Sequence, residues 1–449
     1  MKTKIITALF FVSGLSLFGQ QPATIRLSLN DCIQTAVEKN INAVQARMDK
    51  QKGRYKIEEA RSALLPKITG SGTFQDNLKL PVTMIPGDIL GQPGIIIPFE
   101  MGVQYNTGIS VGVNQILYNQ TALTGLKLSK MNDQLNSLGI EKVNENLAQE
   151  TADLYFLAQT TAEQERIVKD NIARTEKMVS ITKTLWDNGM GKKVDYDRIK
   201  VMLENQQTNL DNTSSLLEQQ LNMIKYLLEI PVSQSIQLTD SVDMPLLPAN
   251  PGPMVDFSDH IDIQIIEQQK EIASLNQKMV NQGYLPSLSF IGNLSYQGQR
   301  SELKNYFNNS PENSWFTAAY IGLNLSIPIF DGFEKRSKSR QAKIDYQKTI
   351  LTLDNTKEKF SADYKNALNN YYNYKNNVKR QEENIELAQN VYKETALKYR
   401  EGMASMSDLL QDETGLSNAQ INYLNALYNF KSSELEIMML NGEIRRLIQ

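Results

Sequence analysis

Cysteine and histidine are almost absent from this sequence of 449 residues, which contains only Cys32 and His260. A disulfide framework needs at least two cysteines, and zinc clusters and Cys–His nucleophilic centres need several such residues close together. The abundant acidic residues lie largely in long helical segments, where a solvated helix face explains them without a catalytic role. The sequence therefore predicts no enzyme, no cofactor and no metal site. An exported hydrolase is an alternative, but the sequence contains no cluster of residues that could form its catalytic site.

Long apolar runs are also scarce. Residues 1–20 combine Lys2 and Lys4 with an apolar segment up to Phe18, which is typical of a secretory signal peptide. Beyond them no stretch approaches the roughly 18 consecutive apolar residues that a membrane-spanning helix needs. A membrane-inserted mature chain would therefore have to span with β-strands. Removing the two lysines changes the net charge from −3 to −5, and without a basic excess we predict no nucleic-acid partner.

Proline is missing from residues 99–230 and from residue 329 to the end of the chain. Within these stretches apolar and small residues recur at alternating spacings of three and four, which is typical of coiled-coil seams, although Thr and Ala replace many of the expected leucines. At about 1.5 Å per residue, a helix over 121–188 would be roughly 100 Å long. The seam residues are Leu147, Thr151, Leu154, Ala158, Thr161, Val168, Ile172, Thr175, Val179, Thr182 and Trp186, then Val378, Ile385, Ala388, Tyr392, Thr395 and Tyr399, and Ile421, Leu424, Tyr428, Leu435 and Met438.

Short segments with a period of two interrupt the helical pattern. In one of them Leu288, Phe290 and Leu294 share a face, while Ser289 and Asn293 lie on the other. Strands of about ten residues with one polar and one apolar face are typical of transmembrane barrels. A half-buried sheet in a soluble protein would give the same pattern. The segments predicted as strands are 67–74, 109–114, 287–296 and 319–327.

A constant offset relates the two halves of the chain. Tyr118 follows the first pair of strands and Phe330 the second, 212 residues later, whereas Gly189 and Gly402 are 213 residues apart. An offset that varies so little indicates an internal duplication. Each repeat reads as helix, strand, strand, long helix, turn and helix.

The duplication defines the predicted domain organisation. The leading helix of the first repeat is expected at about 29–64, with Ser28 or Asn30 as its cap, and its counterpart at 258–284. The predicted segments are a signal peptide (1–20), a first repeat (21–230), a proline-rich linker (231–256) and a second repeat (257–449).

A sheet of four strands cannot close on itself, because the smallest membrane barrels have about eight strands. An open sheet in lipid would expose unsatisfied backbone groups along its edges. The chain is therefore predicted to oligomerise, and geometry alone allows two, three or four copies. A secreted coiled-coil structural or adhesion protein is the alternative from a different functional class.

Several motifs together resemble the TolC family of outer-membrane efflux channels: the duplicated order, the Leu-Pro pairs ending at Pro66 and Pro286, IPIFDG at 327–332, and YREGMASMSDLLQDETGLSNAQINYLNA. The resemblance covers nearly the whole mature chain. It implies an α+β membrane protein, namely a homotrimer whose 12-stranded transmembrane β-barrel, with four strands per chain, continues into a long α-helical coiled-coil periplasmic tunnel. It also implies contact with outer-membrane lipid, a periplasmic adaptor protein and an inner-membrane pump as partners, and a passive export path for efflux or type I secretion.

In the TolC family the periplasmic entrance closes near Gly-x5-Asp turns, and this chain has one in each repeat, Gly189 to Asp195 and Gly402 to Asp408. Each glycine is expected to end one helix and each aspartate to cap the next. The resemblance also implies that Tyr399 contributes to closure, and that three copies of Asp408 form an acidic ring.

The chain departs from the family pattern at three of these positions. Ala404 replaces an arginine, Gln411 replaces a second aspartate, and Val194 replaces a threonine that pairs with that arginine. Both members of one link are missing together, so a hydrogen bond between Tyr399 and Asp195 is the candidate latch. Tyr399 is also consistent with an ordinary seam residue.

Overall fold

The computed structural model describes residues 24–242, 246–247, 252, 256–306, 308, 310 and 314–448. The predicted signal peptide and part of the predicted linker lie outside these residues. The elements in chain order are β1 (Ile25–Leu27), α1 (Leu29–Lys39), α2 (Ile41–Ser62), β2 (Lys67–Asp76), β3 (Val82–Pro86), β4 (Ile96–Glu100), β5 (Tyr105–Tyr118), α3 (Gln120–Asp187), α4 (Lys193–Leu227), β6 (Ile236–Leu238), α5 (Ile261–Gln282), β7 (Ser287–Arg300), β8 (Trp315–Ser326), α6 (Glu334–Arg400) and α7 (Met406–Leu440).

The chain forms two compact units. The first, called the helical unit, comprises the described residues of 1–45, 142–260 and 360–449, and the second, called the sheet unit, comprises 46–141 and 261–359. Most of α3, α4 and α7 belongs to the helical unit, whereas β2, β5, β7 and β8 belong to the sheet unit.

The proline-free stretches form the long helices that their composition predicts. Helices α3 and α6 contain 68 and 67 residues, and α4 and α7 contain 35 each. At about 1.5 Å per residue, α3 is roughly 100 Å long, as predicted. Its seam side chains Leu147, Ala158 and Val168 are buried. Among the described residues, no helix has an apolar stretch sufficient for a membrane span.

The four predicted strands form one antiparallel sheet in the order β2-β5-β7-β8. Each strand is longer than predicted, although β8 ends at Ser326, one residue before its predicted end. Strands β5 and β7 contain 14 residues each. The hairpins of the two repeats join through the pairing of β5 with β7, in which Val111 lies opposite Leu294. Outer strands β2 and β8 each have a strand partner on one side only within the described residues.

Register places the apolar residues of all four strands on one face. Ile68 lies opposite Val113, and Gly292 lies opposite Ile321. The apolar face is uncovered in the single chain, because the side chain of Ile68 is 70% exposed and that of Ile321 is 80% exposed. An uncovered apolar sheet face requires another apolar environment, and lipid supplies one.

Two features of the sheet unit and of the leading helix differ from prediction. The loop between β2 and β5 contains a small antiparallel hairpin of its own, formed by β3 and β4. The single helix predicted over 29–64 is wrong, because the chain breaks at Asn40, which has ψ of 137°. The Asn40 side chain accepts a hydrogen bond from the Asn42 amide (2.9 Å) at the start of α2 and donates one to the Leu227 carbonyl (3.0 Å) at the end of α4. Ser28 caps α1 in a capping box with Asp31, as predicted.

The main core lies in the helical unit. It includes Cys32, which is fully buried, and burial raises the pKa of its thiol to about 12. His260 immediately precedes α5 and packs against Phe360, with 4.3 Å between the ring centroids and the ring planes tilted by 41°. A short parallel pair of strands, β1 with β6, was not predicted. The largest buried apolar side chains of this core are Tyr155, Tyr371, Phe156, Ile33, Ile224, Leu228 and Leu435.

Candidate gating site at the interhelical turns

Both long helical hairpins turn through the same backbone motif. Gly189 has φ of 72° and Gly402 has φ of 74°, a left-handed conformation that glycine adopts without a Cβ clash. After Gly189, the Met190 amide donates to the Leu185 carbonyl (2.8 Å), and after Gly402 the Met403 amide donates to the Lys398 carbonyl (2.8 Å). This is the Schellman ending of a helix. Both glycines therefore end helices, as the sequence predicts.

The second turn begins its next helix with a complete capping box. The Ser405 hydroxyl accepts a hydrogen bond from the Asp408 amide (3.2 Å), while the Asp408 carboxylate accepts from the Ser405 amide (3.0 Å) and hydroxyl (2.7 Å). These bonds hold the pKa of Asp408 below its ordinary value. Asp408 is exposed, as is Gln411 one turn later. In one chain, the carboxylate of Asp408 is thus already engaged in capping.

The first turn lacks such a box. Lys192 stands at the cap position of α4 and makes no side-chain capping bond. Asp195 lies three residues later, and its amide donates to the Lys192 carbonyl (3.1 Å). The Asp195 side chain is half-buried. Its carboxylate is therefore not committed to its own helix start in the way that the carboxylate of Asp408 is.

Tyr399 lies near the end of α6 and packs against an apolar cluster that contains Met178, Ile199 and Leu409. Burial raises the pKa of the Tyr399 hydroxyl, a hydrogen bond with Thr182 lowers it, and the negative charge of Asp195 raises it. Asp195 is thus close enough to act on Tyr399 electrostatically. Among the described residues, no direct hydrogen bond joins the Tyr399 hydroxyl to the Asp195 carboxylate.

A buried polar cluster deeper in the helical unit was missed by the sequence analysis. Glu413 on α7 is 4% exposed and accepts a hydrogen bond from the Arg174 guanidinium of α3 (3.3 Å). That guanidinium also lies over the Tyr392 ring of α6, 5.8 Å from its centroid, and donates to Asn171. Asn171 in turn donates to Gln420 of α7 (3.3 Å). The cluster connects the first repeat's hairpin to the second.

Electrostatics at this cluster are governed by burial. Burial raises the pKa of Glu413, and the positive charge of Arg174 opposes that rise. The sequence did contain a signal for the site. Met406, Leu409, Glu413 and Leu416 follow the 3-4 spacing of a seam, and an acidic residue at a seam position predicts a buried partner on the facing helix.

The described residues contain no group of His, Cys, Asp and Glu side chains that could hold a metal ion. An antiparallel sheet with one apolar face, joined to paired helical hairpins, is typical of an outer-membrane channel. The chain belongs to the outer membrane efflux protein family, whose model matches residues 32–228 and 259–443.

Comparisons with individual proteins agree with this assignment. The chain is 22% identical over 458 residues to outer membrane protein TolC of Salmonella enteritidis, covering 96% of this chain and 85% of the relative. It is 21% identical over 428 residues to the toluene efflux pump outer membrane protein TtgF of Pseudomonas putida, covering 92% and 83%.

Solved structures extend the likeness to the fold. VceC of Vibrio cholerae superposes with a TM-score of 0.72 at 13% identity, covering 92% of this chain and 96% of that one. The CmeC channel of Campylobacter jejuni gives 0.71 at 16% identity, covering 98% and 94%. The predicted TolC-like fold, outer-membrane localisation and non-enzymatic channel function are confirmed, and the coiled-coil adhesion protein is not supported.

Proposed function

We propose that three copies of this chain assemble into one channel, each giving four strands to a 12-stranded barrel. The observation that supports this most directly is the sheet itself, with one uncovered apolar face and outer strands β2 and β8 that have partners on one side only in the described chain. Pairing β8 of one copy with β2 of the next would satisfy both edges and remove every open edge from lipid. The helical hairpins would then form the periplasmic part of the path.

The channel acts as a passive conduit in a tripartite export system. The inner-membrane pump supplies the energy and a periplasmic adaptor protein joins the pump to this channel, so the chain needs no chemistry of its own. Efflux-pump channels among the relatives, such as TtgF, support efflux as its role.

Extraction in mild detergent tests the assembly. The purified protein should run near three times the mass of the mature chain and should dissociate to monomers only on heating. A monodisperse monomer in detergent would contradict the architecture.

The turns described above carry the proposed gate. We assign Asp195, Tyr399, Asp408 and Gln411 to the periplasmic entrance, with Gly189 and Gly402 as the helix-ending glycines. Asp195 is the acceptor available to Tyr399, since its carboxylate has no capping partner in its own turn. A direct hydrogen bond between them in the closed trimer would be charge-assisted and worth about 1.5–3 kcal/mol when shielded from water.

Single-channel conductance tests the latch. Tyr399→Phe removes only the hydroxyl and keeps the ring in its apolar cluster, so the closed state should lose stability while the fold persists. A loss of about 1.4 kcal/mol shifts the gating equilibrium roughly tenfold. Asp195→Ala should open the channel to a similar degree, and the double variant should be little more open than either. Tyr374→Phe on the same helix is the matched control, and additive effects of the two latch variants would reject the latch.

A further inference from the structure

The turn that follows β8 contains three apolar side chains that are exposed in the single chain. Ile329 is 95% exposed, Phe330 is 76% exposed and Phe333 is 59% exposed. Ile327 and Ile329 continue the alternation of Leu323 and Leu325, so the apolar face of the sheet extends past the end of the strand. These side chains lie where the sheet gives way to helix.

An unusual backbone conformation holds the turn. Gly332 has φ of 63° and Phe333 has φ of 67°, and a left-handed conformation is unfavourable for an aromatic residue. The Asp331 carboxylate fixes it by accepting from the Lys335 amide (3.1 Å). As a result, the Phe330 and Phe333 rings meet edge to face, 5.4 Å apart. The strain maintains two exposed rings rather than a buried contact.

The first turns of α6 form a basic face beside these rings. Arg336, Arg340 and Lys343 lie at spacings of four and three, so they share one side of the helix, and all three are exposed. They extend over roughly 10 Å along the helix axis. Lys335 and Lys338 form ion pairs with Asp331 (3.3 Å) and Glu334 (2.5 Å), so they add little net charge. No acidic residue lies between Lys335 and Lys343, although the chain as a whole has a net charge of −3.

The duplication provides an internal comparison. At the positions 212 residues before Arg336, Arg340 and Lys343, the first repeat has Thr124, Leu128 and Met131. Thr124 is buried and donates to Gln282 (2.5 Å). A strand-to-helix junction of this kind therefore forms without any of the three cations, and the basic face is specific to the second repeat.

More exposed apolar side chains lie at the same end of the sheet. Antiparallel register places the start of β2, the end of β5, the start of β7 and the end of β8 together. The additional exposed residues there are Leu65, Leu117, Tyr118, Tyr284, Leu285 and Ile327.

We propose that the segment from Ile329 to Lys343, called the collar segment, binds the phospholipid surface at the periplasmic side of the outer membrane. Ile329, Phe330 and Phe333 insert at the edge of the hydrocarbon, and Arg336, Arg340 and Lys343 bind the phosphates of anionic phospholipids. The order of the groups along the chain, apolar and then basic, matches the order in which a leaflet presents hydrocarbon and then phosphate. This inference rests on the proposed placement of the sheet in the membrane.

Fluorescence quenching locates the apolar part. Phe330→Trp reconstituted in bilayers of brominated phospholipid should be quenched beyond the level of the unsubstituted protein, which provides the background from Trp186 and Trp315. Burial of the collar segment by a second copy of the chain would leave the new tryptophan unquenched, and that result would overturn the proposal.

Lipid retention tests the basic face. The Arg336→Gln/Arg340→Gln/Lys343→Gln variant, in trimers analysed by native mass spectrometry, should retain at least about tenfold less phosphatidylglycerol than the unsubstituted protein, because each cation near an anionic surface contributes roughly fivefold. Retention of phosphatidylcholine should not change, and about 0.5 M salt should reduce the difference.

A matched control and a separate readout complete the design. Lys183→Gln/Lys192→Gln/Lys193→Gln removes the same charge around the first interhelical turn and should leave lipid retention unchanged. If both triple variants lost phosphatidylglycerol equally, net charge alone would explain the loss and the proposal would be overturned. Unchanged retention in the collar variant would also overturn it. Trimer mass and conductance are measured on the same samples, so a failure of the unsubstituted protein to form trimers would count against the assembly rather than against lipid binding.

Discussion

Arg174→Gln is the substitution that most directly tests how the two hairpins are held together. It removes the cation that faces Glu413 and also the guanidinium above the Tyr392 ring. Gln is close to Arg in polarity and keeps one donor group, so the α3 helix should be unaffected. We expect α7 to open locally more often in the variant.

The magnitude follows from burial. Breaking a fully buried ion pair by removing one partner costs about 3–5 kcal/mol. Here the Glu413 side chain is 5% exposed but that of Arg174 is 33% exposed, so water already screens part of the interaction, and we expect about 1–3 kcal/mol. Since about 1.4 kcal/mol corresponds to tenfold, amide exchange in α7 should accelerate roughly 5- to 150-fold.

Hydrogen–deuterium exchange of α7 peptides in the detergent-solubilised protein measures this local opening. Arg166→Gln is the control on the same helix. Arg166 pairs with Glu163 at 2.6 Å, but their side chains are 62% and 37% exposed, and such surface pairs contribute at most about 1 kcal/mol. Exchange in the control should therefore stay within a few fold of the unsubstituted protein.

The pH dependence has a definite sign. Because burial raises the pKa of Glu413, the folded chain holds this proton more tightly than the unfolded chain. The resulting stabilisation is complete below the ordinary glutamate pKa and is lost as the pH rises through the raised value. Without Arg174 only the hydrogen bond with Tyr392 opposes the rise in the pKa of Glu413, so the deficit of Arg174→Gln should be largest at neutral pH and should shrink on acidification.

A second substitution decides whether the pair is the cause. Glu413→Gln in the Arg174→Gln background removes the uncompensated buried charge, so the double variant should be more stable than Arg174→Gln and less dependent on pH. Costs that simply add, or a deficit that does not change between acid and neutral pH, would refute the reasoning.

Two further predictions concern the second turn. Asp408→Asn should weaken the preference for cations measured as a reversal potential in planar bilayers, because three like charges near an axis attract cations. Ser405 remains the cap of α7 in this variant. Asp211→Asn is the control that should leave selectivity unchanged, because Asp211 lies 16 residues after Asp195 on α4, roughly 24 Å further along the helix. Gly402→Ala should lower stability by about 1 kcal/mol, since φ is 74° at this position. Gly415→Ala within α7, where a Cβ meets nothing within 4 Å, should instead raise stability by about 0.5–1 kcal/mol. Thermal dissociation of the assembly measures both, and shifts of the same sign would contradict the backbone explanation.

The regular parts of the fold were predictable from sequence because periodicity reports them directly. Alternation at period two identified β5, β7 and β8, since one face of each of these strands is largely apolar. The absence of proline in residues 99–230 and the 3-4 spacing identified α3. Strand β2, with only Ile68 and Phe74 as large apolar residues, was recognisable through its place in the duplication.

The irregular parts depend on contacts between distant residues and were not predictable. The break at Asn40 is stabilised by the carbonyl of Leu227, which is 187 residues away along the chain. The pairing of β1 with β6 joins Ile25 to Ile236, and three-residue strands are too short for a periodicity to show. No local sequence pattern could predict either feature, because in both cases the backbone groups find their hydrogen-bond partners in a distant part of the chain.

At the candidate site, sequence located the residues but not their partners. The Gly-x5-Asp spacing is the same in both turns, and both glycines have the expected conformation. The spacing does not distinguish Ser405, which caps its helix, from Lys192, which does not. A hydroxyl three residues before an aspartate was the only local sign of that difference.

This difference between the turns bears on how a gate could work after a duplication. The Asp408 carboxylate accepts hydrogen bonds from the Ser405 amide and hydroxyl. Its position is therefore fixed relative to the start of α7. Asp195 has no such cap and lies close enough to raise the pKa of Tyr399 on the other hairpin. The two Gly-x5-Asp motifs therefore have the same spacing, but their aspartate side chains differ in how firmly they are held. The capped aspartate is suited to a fixed charge at the entrance, and the uncapped one is suited to a contact that forms and breaks as the hairpins move.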